Sequence, residues 1–213
     1  RSVDHVIDEF QYIAKEIPEV KGVMLQDDMI TPARAMEISE AKIKVGNTLP
    51  WSCYAKGNLP YEVLKTMKEA NILNLHVGFE SANRDLLKGM AKGVSKERMT
   101  RFSKDAHKVG VNIHGDFGIG FVGETEESAK ETIDWACEIR PHTVQFQIMI
   151  PFPGTPFFDE LNEKGWIKEG RPNYPQLSKE KMESLAKLAY RKYYISLGYF
   201  KSISASSFSS LYE

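Results

Sequence analysis

The chain has 213 residues, 42% hydrophobic and 27% charged, enough for one sizeable domain with a core and an appendage. A formal net charge of -1 supplies neither a global basic field for nucleic acid nor an acidic block for a disordered tail. No apolar run approaches the roughly 18 residues that span a bilayer, and no signal peptide is visible.

The chain opens on Arg1, without Met, and residues 1–20 already read as a helix: Ser2 is its N-cap, and Val3, Val6, Ile7, Phe10, Ala14 and Ile17 form a stripe of helical period. A domain that starts in this way is expected to be a fragment. "GVMLQDD" (22–28) reads as a strand, and "TPARAMEISEAKIKVG" as a helix with Thr31 at N-cap, Pro32 at N1 and Gly46 past its end. "LPWSCYA" is a strand, "NLPYEVLKTMKEAN" a helix and "ILNLHVGFE" a strand. "SKERMTRFSKDAHKVG" is a helix closed by Gly110, "VNIHGDFGIGF" a strand, "ETEESAKETIDWACEIR" a helix stopped by Pro141, and "TVQFQIMI" a strand. Five strands alternating with helices predict parallel βαβ units with right-handed crossovers. From Pro151 the composition turns to Pro and Gly with one short helix, and a C-terminal helix follows, with Met182, Leu185, Ala189 and Tyr193 in phase. The Ser-rich stretch 201–213 is expected to fray.

The strands do not read as the continuous apolar runs of a sheet covered on both faces. Leu73, Leu75, Val77 and Phe79 alternate with Asn74, His76, Gly78 and Glu80. Val111, Ile113, Phe117, Ile119 and Phe121 alternate with Asn112, His114, Asp116, Gly118 and Gly120, and Val144, Phe146, Ile148 and Ile150 with Thr143, Gln145, Gln147 and Met149. Successive side chains point to opposite faces, so one face meets helices while the other is polar. That polar face predicts the lumen of an open or partial (β/α) barrel, because a closed eight-strand barrel fills its lumen with branched apolar residues. An antiparallel sheet with a solvated face is the alternative, disfavoured by the intervening helices.

Ligand sites in such folds gather where strands end. Glu80 ends the third strand on the lumen side, and reads either as a ligand-binding carboxylate or as a salt-bridge or capping partner for "SANRDLLKG". In "GDFGIGFVGETEES", Gly118, Gly120 and Gly123 remove side chains where a flat ligand could approach the backbone, while Glu124 and Thr125 suit the first turn of a helix. Asp27 and Asp28 end the first strand as a pair for an amine or metal, unless Asp28 merely helps cap the next helix. His76 and His114 face the lumen without a further ligand at metal spacing, and His5, His107 and His142 read as surface or loop residues. Cys53 and Cys137 lie far apart and read as buried small hydrophobes, reduced in a cytoplasmic protein.

Taken in order, "LQDDMIT", "WSCYAKGN", "HVGFESANRDLLKGMAKGVSKE", "GDFGIGFVGETEES" and "PFPGTPFF" resemble the radical S-adenosylmethionine (SAM) superfamily, closest in look to the branch with an N-terminal cobalamin-binding domain. The resemblance runs to about residue 160 and implies an α/β fold: a partial (β/α)6 TIM-like barrel of parallel strands. Its first strand and the Cys-x-x-x-Cys-x-x-Cys loop that binds a 4Fe-4S cluster would be missing here, leaving a barrel core over 1–160 and a C-terminal helical extension over 161–213. It further implies that Glu80 binds the SAM ribose hydroxyls with Ser81 beside it, that Lys92 meets the SAM carboxylate, and that Asp27 or Asp28 stands near the amino group. Gly118, Ile119, Gly120, Ile150, Pro151 and Phe152 would flank the adenine, and His114, Asp116, Gln145 and Gln147 would line the substrate side. No metal ligand falls within this chain. The implied function is SAM binding and 5′-deoxyadenosyl radical formation in the intact parent. The parent would take SAM, the 4Fe-4S cluster and, in the cobalamin branch, cobalamin, with an electron donor such as flavodoxin or ferredoxin and a small-molecule or lipid-like substrate. Two other readings stand beside it: a non-catalytic barrel that binds or scaffolds, and a glycosidase-like barrel using Glu80 and Glu124 as acid and base, which requires two carboxylates about 5–9 Å apart.

Overall fold

The apolar stripe that opens the sequence forms α1 (Val3–Glu16) in the computed structural model, which describes residues 1–90 and 92–195. Ser2 caps it by accepting the His5 N–H, and Val6, Ile7 and Phe10 are its buried face. There follow β1 (Val23–Ile30), α2 (Pro32–Lys44), β2 (Trp51–Ala55), α3 (Tyr61–Glu69) and β3 (Ile72–Glu80). Next come α4 (Arg84–Gly89), α5 (Lys96–Val109), β4 (Asn112–Ile119), α6 (Glu126–Ile139) and β5 (Thr143–Ile148). The tail holds α7 (Pro156–Glu163), the two-residue strands β6 (Ile167–Lys168) and β7 (Arg171–Pro172), and α8 (Lys179–Tyr194). The stretch 201–213, expected to fray, lies outside the described residues.

Strands β1 to β5 form one parallel sheet in sequential order, with a helix in every crossover. That order is the wall of a (β/α) barrel; a doubly wound sheet reverses its order at a switch point. The helix starts follow local chemistry: Thr31, Asn83, Thr125, Thr155 and Ser178 each accept a backbone N–H of the turn they open, and Thr125 with Ser128 makes a reciprocal capping box.

Two local expectations fail. β1 runs on to Ile30 after a register break between Leu25 and Ile30, so Asp27 and Asp28 sit within the strand and are exposed, and Thr31 caps α2 itself. In β3 the register shifts between Trp51 and Ser52 of the neighbouring strand: Ile72 pairs with Trp51 but Asn74 with Ser52. The bulge puts Leu73, expected on the helix side, 48% exposed, while Leu75, Val77 and Phe79 keep the buried face.

Two compact units make up the chain. In the first (1–78, 97–115, 141–143), Phe10 meets Trp51 edge-on at 6.3 Å. The fully buried Lys42 ammonium lies 4.0 Å over the Phe10 ring and donates to Asn47 Oδ1 at 2.7 Å and Leu49 O at 3.0 Å. Burial lowers the Lys42 pKa to about 8. In the second (79–96, 116–140, 144–213), Phe79, Phe117 and Phe146 stack across neighbouring strands at 5.4 and 5.3 Å. Trp135 of α6 stands edge-on over Phe79 and Phe117 at 5.6 and 6.0 Å. Residues after β5 belong to this core. Tyr190 and Tyr194 of α8 accept the Phe146 and Val144 N–H groups at 3.1 and 3.0 Å, closing the edge strand of the sheet with phenol oxygens.

Candidate functional site

The alternation expected of a one-sided sheet is present. His76, Gly78 and Glu80 of β3 and His114 and Asp116 of β4 are partly accessible, Gln145 and Gln147 of β5 are exposed, and the residues between them are buried. Within the first unit this polar face carries a row across strands: Tyr54 to His76 at 5.2 Å, His76 to His114 at 5.1 Å, and His114 Nδ1 to Thr143 Oγ1 at 2.7 Å. His142, expected at the surface, is instead partly buried, and its Nδ1 accepts the Ile113 N–H at 3.1 Å. Burial, with the nearby His107, lowers its pKa to about 4.

At the end of β3 the backbone does something unusual. Glu80 has φ +64, and the Ser81 N–H reaches over it to Phe79 O at 2.9 Å. This is a γ-turn with a left-handed central residue, a strained form that for a non-glycine costs about 1–3 kcal/mol. The turn aims the carboxylate along the polar face, where Lys92 Nζ lies 2.9 Å from Glu80 Oε1; the Lys92 side chain is 15% exposed and that of Glu80 30%. Lys92 and Glu80, assigned by sequence to opposite ends of one ligand, are therefore an ion pair. Ser81 departs from its expectation. It is fully buried, its hydroxyl 3.2 Å from Thr132 Oγ1 of α6 and accepting the Asn83 N–H at 3.1 Å. Thr132 Oγ1 also accepts the Ala82 N–H at 3.0 Å. Ser81 thus anchors the turn from behind, with its hydroxyl committed to protein.

The glycine turn after β4 also differs from its reading. A Cβ on Gly118 would fall 2.3 Å from the Phe121 ring and 3.2 Å from Met149 Sδ. Gly118 is glycine because an aromatic ring of the chain occupies the space its Cβ would take. Ile119 is 1% exposed, and Gly120 is buried with φ +98, a conformation that favours glycine. Glu124, expected in the first helical turn, precedes the Thr125 cap and is fully buried. Its Oε2 accepts the Gly120 N–H at 2.5 Å. Burial outweighs that bond and pushes its pKa up to about 7. A carboxylate turned inward in this way cannot face a sugar across from Glu80, which removes the glycosidase reading. Of the segment after β5, Pro151 is buried, Ile150 is partly accessible and Phe152 is 61% exposed. Phe121 and Met149, missed as site neighbours, cover Gly118; the GxG spacing signalled a close approach without naming the partner.

The radical SAM superfamily model matches residues 1–136. The chain belongs to that superfamily. It is 33% identical over 157 residues to an uncharacterized methyltransferase of Pyrococcus horikoshii, covering 72% of this chain and 34% of that protein. It is 30% identical over 170 residues to the bacteriochlorophyllide d C-12(1)-methyltransferase of Chlorobaculum tepidum, covering 77% of this chain and 37% of the relative. The chain thus spans about a third of the length of these relatives. Its fold is similar to the radical SAM methyltransferase TsrM of Kitasatospora setae, solved with tryptophan and a SAM analog, at TM-score 0.70, 20% identity, and 77% and 33% coverage. The cobalamin-dependent radical enzyme OxsB is similar at TM-score 0.56, 17% identity, and 90% and 31% coverage.

The family uses SAM with a 4Fe-4S cluster, and the two fit this chain differently. Cys53 is buried, its thiol pushed up to about 12, and Cys137 sits alone on α6. Among the described residues no group of three or more His, Cys, Asp or Glu could hold a metal ion, so these residues do not fit the cluster. For the SAM nucleoside the chain offers a strained, accessible carboxylate at the end of β3 and, after β5, the accessible side chains of Ile150 and Phe152.

Proposed function

We propose that this chain is the SAM-binding portion of a radical SAM enzyme whose reaction is methyl transfer or a near relative of it on a small-molecule or lipid-like substrate. The observation that carries the reading is Glu80, held in a left-handed γ-turn at the C-terminal end of a barrel strand with its carboxylate on the polar face. Strain of this size persists where the surroundings impose it, and Ser81, Ala82 and Thr132 do so here.

In this reading the Glu80 carboxylate accepts the ribose hydroxyls, and its pair with Lys92 sets its rotamer while leaving Lys92 to answer the ligand's carboxylate. Ile150 and Phe152 offer apolar contact to adenine beside the turn Gly118–Ile119–Gly120, with Pro151 fixing the path between them. Asp116, Gln145 and Gln147, in the same unit as Glu80, present donors and acceptors to the substrate. When bound in the intact enzyme, SAM would supply radical chemistry there. The cluster ligands lie outside the described residues, as would a cobalamin site like that of the similar structures; a flavodoxin or ferredoxin would supply the electron.

The test is anaerobic reconstitution of the full-length protein with iron and sulfide. We expect cluster absorbance and release of 5′-deoxyadenosine, with Glu80→Ala weakening SAM binding at unchanged iron content. A protein that holds no cluster and yields no deoxyadenosine overturns the reading and leaves a binding or scaffold barrel.

A further inference from the structure

Both backbone polar groups of Gly120 are held by buried side chains. Its N–H is taken by Glu124 Oε2 at 2.5 Å, and its carbonyl accepts the Tyr174 hydroxyl at 2.8 Å. Tyr174 is 2% exposed and Glu124 fully buried, so water cannot replace either bond. Around this clamp, Gln176 Nε2 donates to the Glu124 carbonyl at 3.2 Å, and a Cβ on Gly120 would meet Met182 Sδ at 2.9 Å and Pro172 Cγ at 3.7 Å. Tyr174, Gln176, Met182 and Pro172 all come from the segment beyond β5. Glu124 Oε1 has no hydrogen-bond partner among the described residues, so the carboxyl acts through its other oxygen on the backbone of this turn, at Gly120 and Phe121.

We propose that Tyr174 is a positioning residue for the nucleoside end of bound SAM, acting through Gly120, with Glu124 as its counterpart on the other side of the turn. The inference rests on the reading that this turn faces adenine. The left-handed Gly120 reverses the chain directly after Ile119, and both of its hydrogen-bonding groups are fixed by side chains. Loosening either lets the turn sample other φ values and shifts the end of β4 on which, in that reading, the ring rests. The segment beyond β5 thereby contributes to cofactor recognition by bracing the turn, with no contact of its own to the ligand required.

The experiment uses the reconstituted full-length protein. Tyr174→Phe removes one hydroxyl and keeps the ring edge-on to Trp166. We expect affinity for SAM and for 5′-deoxyadenosine to fall together by roughly fivefold, the worth of one neutral hydrogen bond, with iron content and Tm held near wild type. Glu124→Gln, which still accepts the Gly120 N–H, should bind normally, whereas Glu124→Leu should lose affinity as Tyr174→Phe does. Unchanged nucleoside affinity in Tyr174→Phe overturns the proposal, as does a loss explained by lowered Tm and iron content. Glu80→Ala separates the two ideas. If it weakens SAM binding while Tyr174→Phe does not, the clamp alone fails; if neither weakens it, the site reading fails with it.

Discussion

Lys92 Nζ stands 2.9 Å from Glu80 Oε1, and the residue that receives this ion pair has its backbone at φ +64. Electrostatics and strain meet in one residue, which allows them to be separated by choice of substituent. Glycine accepts a left-handed φ freely, while alanine keeps the strain and loses the charge. Glu80→Gly should therefore be more stable than Glu80→Ala by about 1 kcal/mol, although both lack the carboxylate proposed to hold the ribose and should bind SAM weakly. Urea unfolding checks the order; equal stabilities would mean the γ-turn relaxes once the carboxylate is gone.

Thr132 is the support behind that turn. Its hydroxyl accepts the buried Ala82 N–H at 3.0 Å and donates to Ser128 O at 3.0 Å. Thr132→Val keeps the shape and orphans the Ala82 N–H, a loss of about 1–3 kcal/mol. Thr132→Ser restores the acceptor and should recover most of it. Chemical denaturation of the pair of variants checks this. A valine variant as stable as wild type would show that the amide finds another partner.

The barrel wall was legible because its signals are local: period-two alternation, helix stripes, and Ser, Thr or Asn at the helix starts all lie within a few residues of what they determine. Of the candidate site residues, Glu80 shows its position most directly in the sequence: parity places its carboxylate on the polar face. Ser81 escaped because the residue after a γ-turn no longer follows strand parity, and its partner Thr132 lies 51 residues away on α6. Glu124 escaped for a related reason: as the residue before a helix cap it looks solvent-facing, and only the fold turns it toward Gly120. Gly118 showed that something comes close without saying whether it is ligand or chain, and the answer, Phe121, is three residues downstream.

The β5 edge offers a further test. Tyr194 accepts the Val144 N–H at 3.0 Å and donates to its carbonyl at 3.2 Å, while Tyr190 accepts the Phe146 N–H at 3.1 Å. The double variant Tyr190→Phe, Tyr194→Phe preserves the rings and uncovers two strand N–H groups. Since Tyr190 is 38% exposed, water recovers part of the loss, and the cost should be about 1 kcal/mol. An uncovered parallel edge also invites strand addition. Light scattering on warming should rise earlier in the double variant than in wild type; identical aggregation profiles would deny the tyrosines an edge-covering role.

Two titrating groups, the buried Glu124 and the partly buried His142, act on stability with opposite sign. Glu124 is raised from 4.5 to about 7 by burial, with the Tyr174 phenol as its close polar neighbour. Between those pH values the folded state holds a proton that the unfolded state has released, so stability falls as pH rises, by on the order of 1.4 kcal/mol per pH unit at most. His142 is lowered from 6.5 to about 4 by burial and by His107 at the end of α5. There the unfolded state holds the proton, so stability falls as pH drops through that window. The two slopes overlap between 4.5 and 6.5 and largely cancel, leaving wild type with a nearly flat profile there. Glu124→Gln should unmask a rise in stability with pH across that window, and His142→Gln a fall. Urea midpoints from pH 4.5 to 7 check both. Parallel profiles in the two variants would show that neither group titrates between its folded and unfolded values, and that the burial of Glu124 is relieved by water when it ionises.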